Sequence, residues 1–419
     1  MKNKLISLLK WSEKYTKTDM NYLVSGSFWL SLGQFISAIA AIGLAVLFAN
    51  ILTSEQYGTY QFIISMGGIV AVFSLSGMRF SIIRGVAQIG NIAFVTGFKT
   101  YMKWSVGMAL VSFAIALYYY INNNIELSIA MLFVGALSPF FRGFGLYQTL
   151  LTGQKRHDAY SVIRIIYTLV TTTSLAVAIF LTTSPILIAF IYFLSHTVVL
   201  GFILLYVWKK YGGIESDSPK EETHAKQVAS YGKQLSLLHV GNKLAAELDK
   251  VLTFHFLGPA SLAVYTLAYS PVKELIHGGE ILRTLLLPKL SESNIAVIKK
   301  TLLRKAFLFF LFLIPIVIAY FFAAPYLYAT LFPKYLDSII YSQILVFTLL
   351  FLPIIVFRQT FIAHKQTKAL YVIDTVLPVF KILLLLIFLP IFGIYGAILA
   401  IYLHLILSLI ILLYLFARM

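Results

Sequence analysis

The stretch HVGNKLAAELDKVLTFHFLG, residues 239–258, is as long as a membrane crossing and yet carries Lys243, Glu247, Asp249 and Lys250. Helix rises about 1.5 Å per residue, so about 20 residues cross the roughly 30 Å hydrocarbon core. A charged side chain placed against lipid in such a span costs several kcal/mol. At 100° per residue, His239, Lys243, Glu247, Lys250 and Phe254 fall on one helix face. That face must therefore be covered by protein or by water, which requires further helices around it.

The rest of the chain supplies them. Of 419 residues, 60% are hydrophobic and 12% charged, with a mean hydropathy of +0.88, whereas soluble domains carry about 25% charged residues. A soluble protein of this length could not hide so much apolar surface. Turn residues and charges divide the sequence into about twelve apolar spans, among them 58–80 and 338–358, and the class is an all-α integral membrane protein. The short apolar run at residues 5–9 leads into a long span with no cleavage signal, so no removable signal peptide is expected.

The formal charge of +17 follows from topology. With a cytoplasmic amino terminus, all of the 33 Lys and Arg residues except Lys334, Arg142, Lys243, Lys250, Lys273 and Lys381 fall in cytoplasmic segments. Short cationic loops resist translocation, so both termini are expected in the cytoplasm. Basic residues spread over short loops face anionic lipid headgroups, which argues against a nucleic-acid partner. Cysteine is absent, removing disulfides and thiolate metal sites. His196, His255 and His404 lack metal-ligand spacing, so no metal site is expected. No phosphate loop, dinucleotide fingerprint or nucleophile elbow is present, and no cofactor is expected.

The longest polar segment lies at the middle, with six candidate spans on each side. Residues 51–60, ILTSEQYGTY, align with residues 256–265, FLGPASLAVY, each ending a helix, turning, and restarting at a Tyr. The expected architecture is two six-helix bundles related as parallel repeats around a central cavity. The amino-terminal bundle takes residues 1–208, a cytoplasmic linker 209–232, and the carboxy-terminal bundle 233–419.

Several charges belong to membrane depth. Arg142, beside Gly143 and Gly145, adds a cation to the amino-terminal half; Lys273, His277 and Glu280 share an arc in the eighth span; Asp374 and Lys381 lie in the eleventh. The cations Arg142, Lys243, Lys250, Lys273 and Lys381, with Glu247, Glu280, Asp374 and Gln34 as acidic and polar neighbours, can be read as lining a hydrated cationic cavity. The competing reading is an internally neutralised ladder, because Glu247 lies four residues from Lys243 and three from Lys250. Arg142 can also snorkel to the surface, and Arg79 and Arg84 can contact headgroups or guard the cavity entrance. A second face with Asn242, Asp249 and Thr253 offers oxygen ligands for a coupling cation such as Na⁺; the absence of a nucleotide site makes a Na⁺ or H⁺ gradient the expected drive.

These residues also carry a family resemblance. DKVLTFHFLGPASLAVYTLAY, residues 249–269, and FANILTSEQYGTYQF, residues 48–62, resemble matching signatures of polysaccharide flippases, the O-antigen and capsule repeat-unit translocases of the multidrug/oligosaccharidyl-lipid/polysaccharide exporter superfamily. The resemblance implies a non-enzymatic transporter of the bacterial inner membrane, acting as a monomer, that moves an oligosaccharide joined through pyrophosphate to undecaprenol by alternating access. Glycosyltransferases and a polysaccharide polymerase, in a lipopolysaccharide or capsule pathway, would be its functional partners. The anionic pyrophosphate would be drawn to the five cations. A multidrug exporter of the same fold, or a membrane polymerase or ligase, remains as the alternative; the first would favour acidic cavity residues and the second a large outer loop.

Overall fold

The computed structural model describes the backbone of residues 20–213, 219–292, 295–364 and 366–418, with the side chains of 32–213, 223–278, 298, 301–364, 366 and 368–418. The amino-terminal half consists of α1 (Met20–Ile51), α2 (Ser54–Val70), α3 (Met78–Ile89), α4 (Ile92–Ile121), α5 (Ile125–Phe144), α6 (Tyr147–Gly153), α7 (His157–Leu181) and α8 (Pro185–Tyr211). The carboxy-terminal half consists of α9 (Pro219–Glu292), α10 (Ile295–Leu331), α11 (Ser338–Leu345), α12 (Ile354–Ala363), α13 (Thr367–Phe392) and α14 (Ile394–Arg418). No strand occurs among the described residues. In lipid a helix satisfies its own backbone groups, which an open sheet cannot do.

Among the described residues ten helical stretches are long and apolar enough to cross a membrane, two of them joining neighbouring helices (α5 with α6, α11 with α12), and the bent pair of α2 and α3 makes eleven. The 56-residue stretch of α9 from Thr223 to Gly278 counts once, although it holds two helices joined at Gly258, whose φ of 83° breaks the helical backbone. Dividing it there gives the twelve spans expected from the sequence. Glycine takes positive φ without steric cost, and an L side chain does not.

The repeat is visible at this break. Thr53 caps α2 in a capping box with Gln56: the Gln56 amide donates to Thr53 Oγ1 at 3.2 Å, and the Thr53 amide to Gln56 Oε1 at 3.0 Å. Gly258 falls at the aligned position in the second half, and the aligned Tyr60 and Tyr265 are both buried. The two turns meet, because Gly58 leaves no room for a Cβ against the Pro259 carbonyl.

Three spans expected to be continuous are broken, the fourth only by a turn at residues 145–146. The second stops at Val70, passes through a 3-10 turn at Ala71–Phe73 and resumes at Met78 with a 58° bend. Side chains take up the freed backbone groups: Ser74 Oγ donates to the Ala71 carbonyl at 2.7 Å, and the Gly77 amide donates to Ser236 Oγ of α9 at 2.9 Å. The tenth span is interrupted by a 3-10 stretch at Val346–Phe351, followed by Pro353, which has no N–H to donate. Of the segment read as a linker, residues 209–211 continue α8 and 219–232 begin α9, with Gly212 and Gly213 outside either helix.

Small residues bring helices close, as lipid offers no hydrophobic drive for association. Between α4 and α5, Ser112 Oγ donates to the Met131 carbonyl at 2.6 Å and Ser128 Oγ to the Ala116 carbonyl at 2.8 Å, beside Gly135. Helix α9 is the axis of the molecule. One side packs on α2 and α3 of the amino-terminal half, with Phe62 and Phe254 stacked at 3.9 Å, and another packs on α13.

Candidate cationic site

Three helices of the amino-terminal half, α3, α5 and α7, carry Arg79, Arg142 and Arg164. Arg79 is in the first turn of α3, just past the break; its guanidinium donates to Gln148 Oε1 of α6 at 2.5 Å, an oxygen that also accepts from Tyr160 at 3.3 Å. Arg142 ends α5, exposed, with its guanidinium 5.0 Å from the Phe141 ring. Arg164, two turns into α7, donates to Gln34 Oε1 of α1 at 2.7 Å. Each described polar partner here is a neutral amide, so the positive charges are not cancelled. Lys243 of α9 feels the charges of Arg142 and Arg79 across the boundary between halves, with Glu247 opposing them.

The carboxy-terminal half is arranged differently. Glu247 reaches Lys250 at 3.8 Å and lies over Gly68 of α2, where a Cβ would come within 2.7 Å of its carboxyl carbon. Lys381 of α13 is 3.7 Å from Asp249 and donates to the Ala245 carbonyl at 2.6 Å. Asp249 also accepts from Tyr265 at 3.0 Å. Asp374 accepts from Arg358 at 2.7 Å and from Asn242 at 3.1 Å. Lys273 is exposed and lies in the field of Lys250, Glu247, Asp249 and Glu274. Asp249 and Lys381 help line a cavity of about 300 Å³ with Tyr269, Thr348 and His404, formed wholly within this half.

The structure thus brings together Arg142 and Lys243 from the expected set and places Lys250 and Lys381 in ion pairs with Glu247 and Asp249. Among the described residues, Arg79, Arg142, Arg164 and Lys243 enter no carboxylate ion pair. Gln34 and Asp374 stand as arginine partners. The side chain of Glu280 lies outside those described. Asn242, Asp249 and Thr253 do not converge on one ion: Asn242 faces Asp374, Asp249 faces Tyr265 and Lys381, and the Thr253 hydroxyl donates to the Asp249 backbone carbonyl at 2.6 Å. Seven residues of helix separate Asn242 from Asp249 by about 10 Å along the axis, too far to share a ligand shell. No group of three or more acidic, His or Cys residues suited to a metal occurs among the described residues.

Arg164 and Arg358 are site residues that sequence reasoning assigned to loops. Arg164 has apolar residues on both sides, VIRII, a pattern that puts an arginine inside a helix rather than at its end, whereas Arg358, in IVFRQ, follows an apolar run.

Comparison with known proteins agrees with this architecture. An uncharacterized membrane protein of Methanocaldococcus jannaschii, MJ1068, is 25% identical over 410 residues, covering 89% of this chain and 80% of that protein. The fold is shared with the lipid II flippase MurJ in an inward closed conformation, at TM-score 0.64 and 18% identity over 92% of this chain and 86% of that one. It is shared also with the MATE multidrug transporter DinF-BH, at 0.62 and 16% over 95% of each chain, and with an outward-facing multidrug resistance MATE transporter of the MOP superfamily, at 0.58 and 14% over 94% of each. Residues 23–276, more than half of the sequence, match the family profile described as polysaccharide biosynthesis protein, and the chain belongs to that family.

Proposed function

We propose that the protein is a flippase that moves an oligosaccharide repeat unit, linked through pyrophosphate to undecaprenol, across a bacterial cytoplasmic membrane by alternating access of its two halves. The observation that carries this reading is the positive group where the halves meet: Arg79, bonded to a neutral amide, and Arg142 both act on the charge of Lys243. Guanidinium groups bind phosphate through paired N–H donors, and these have not been neutralised by carboxylates. A pyrophosphate would sit among Arg79, Arg142 and Lys243, the amides of Gln34 and Gln148 would meet sugar hydroxyls, and the polyprenyl chain would remain in the bilayer. The family and the MurJ-like fold support a lipid-linked substrate. The cationic loops support cytoplasmic termini, and in this reading the chain acts as a monomer driven by a Na⁺ or H⁺ gradient. Export of organic cations, suggested by the multidrug transporters of the same fold, is disfavoured by this positive group. In the cell the flippase would stand between glycosyltransferases that build the unit and a polymerase that extends it, in an O-antigen, lipopolysaccharide or capsule pathway.

The test is translocation of a fluorescent polyprenyl-pyrophosphate oligosaccharide in proteoliposomes. Arg142→Gln and Lys243→Gln should each reduce the rate about tenfold or more, the loss of one charge-assisted contact, with protein level unchanged. Wild-type rates in both variants would overturn the anion role. Rates indifferent to collapsing both ion gradients would remove the proposed drive.

A further inference from the structure

A second anion-directed pocket lies away from this group, where α3 of the amino-terminal half meets the start of α9. It encloses about 220 Å³ and is lined by Arg84 and Gln88 from α3 and by His224, Gln227 and Tyr231 from α9. Ser81 also lines it, its hydroxyl donating to the Val228 carbonyl. Around it the two helices are packed tightly: Gly85 takes the side chain of Val228, and Gly232 takes that of Met78. Arg84 is exposed, with its guanidinium 5.9 Å from the centre of the Tyr231 ring. A cation held over a ring face keeps its N–H edge free to point sideways, into the pocket.

Among the described lining residues the fixed charge is of one sign, positive. Arg84 supplies N–H donors, Gln88 and Gln227 supply amide donors, Tyr231 a hydroxyl and His224 a ring nitrogen; no carboxylate occurs among the described lining residues. Ile89 and Val228 give the pocket an apolar margin, suited to the carbon portion of an amphiphile. We propose that this pocket binds a phosphoryl group, either a phospholipid headgroup or free phosphate, and that the bound group bonds both halves at once. This site is separate from the substrate group: Arg84 is five residues beyond Arg79, and none of Arg79, Arg142 or Lys243 lines it. The inference therefore does not depend on the identity of the transported substrate.

Thermal unfolding of the full chain tests it, in nanodiscs of phosphatidylcholine alone, with increasing phosphatidylglycerol, and with added inorganic phosphate. The wild type should melt at a higher temperature as one of these is added. The effective phosphatidylglycerol fraction or phosphate concentration should rise about tenfold in Arg84→Gln, the loss of one charge-assisted contact. Gln88→Glu, which leaves Arg84 in place and puts a carboxylate into the pocket, should weaken the response similarly, whereas Lys103→Gln, an exposed cation outside the pocket, should not. A response to phosphatidylglycerol but not to phosphate identifies a lipid headgroup, and a response to phosphate in phosphatidylcholine discs identifies the free ion. No response to either, or an undiminished response in both Arg84→Gln and Gln88→Glu, overturns the proposal.

Discussion

Arg79 and Lys381 are cations held in opposite halves of one helical membrane protein, and their partners differ in kind. Arg79 is bonded to the amide of Gln148, and Arg164 to that of Gln34. Lys381 is paired with Asp249, Lys250 with Glu247 and Arg358 with Asp374. An amide orients a guanidinium without cancelling its charge, whereas a carboxylate does both. The difference separates two uses of charge: in the carboxy-terminal half pairs such as Asp249–Lys381 and Arg358–Asp374 join helices, and in the amino-terminal half the charge remains available to an outside anion.

The largest effect should come from breaking a pair in the carboxy-terminal half. The side chains of Asp249 and Lys381 are 5% and 14% exposed. Removing one partner of a buried pair leaves an uncompensated charge at a cost of about 3–5 kcal/mol. Asp249→Ala should therefore lower the thermal stability of the protein in detergent by several degrees or more. Replacing both, as Asp249→Leu with Lys381→Met, should recover most of the loss, since an apolar pair of similar volume can replace a buried ion pair. An Asp249→Ala protein as stable as the wild type would show that the pair does not hold α9 to α13.

A smaller effect is expected from making the amino-terminal half resemble the other. Gln148→Glu gives Arg79 a carboxylate partner at the same position. A hydrogen bond to a charged group contributes about 1.5–3 kcal/mol, so a phosphorylated substrate competing for Arg79 should bind about 10 to 100 times more weakly. Stability should be unchanged or raised. Measured affinity for the lipid-linked oligosaccharide equal to that of the wild type would remove Arg79 from the substrate group.

The contrast was only half legible in the sequence. Hydropathy and the positions of Lys and Arg give the twelve spans and the division into halves, because those depend on local composition. The aligned turns at Thr53 and Gly258 are legible for the same reason: a cap and a glycine act within a few residues. Which charges pair is different. Lys250 and Glu247 are neighbours on one helix and could be read as a pair, but Lys381 meets Asp249 only through the packing of α13 on α9. Spacing on a helix gives direction and not partner, which is why Asn242, Asp249 and Thr253 suggested one site and belong to different contacts. The break after Val70 was also hidden, since its polar groups are satisfied by Tyr101 and Ser236, distant in sequence.

The smallest effect concerns Glu247, the one described carboxylate lying between the two regimes. It opposes the positive charges around Lys243 from the amino-terminal half while pairing with Lys250 in its own. Its side chain is 31% exposed and that of Lys250 19%, so water screens the pair, and such pairs contribute about 0.2–1 kcal/mol. Glu247→Gln keeps the shape that Gly68 accommodates and removes only the charge. If Glu247 serves to moderate the positive group, the variant should bind the anionic substrate up to about fivefold more tightly, with thermal stability nearly unchanged. A glutamine variant that binds substrate normally but no longer transports it would instead assign the carboxylate to the coupling step, because only a group that gains and loses charge during the cycle is missed in turnover and not in binding.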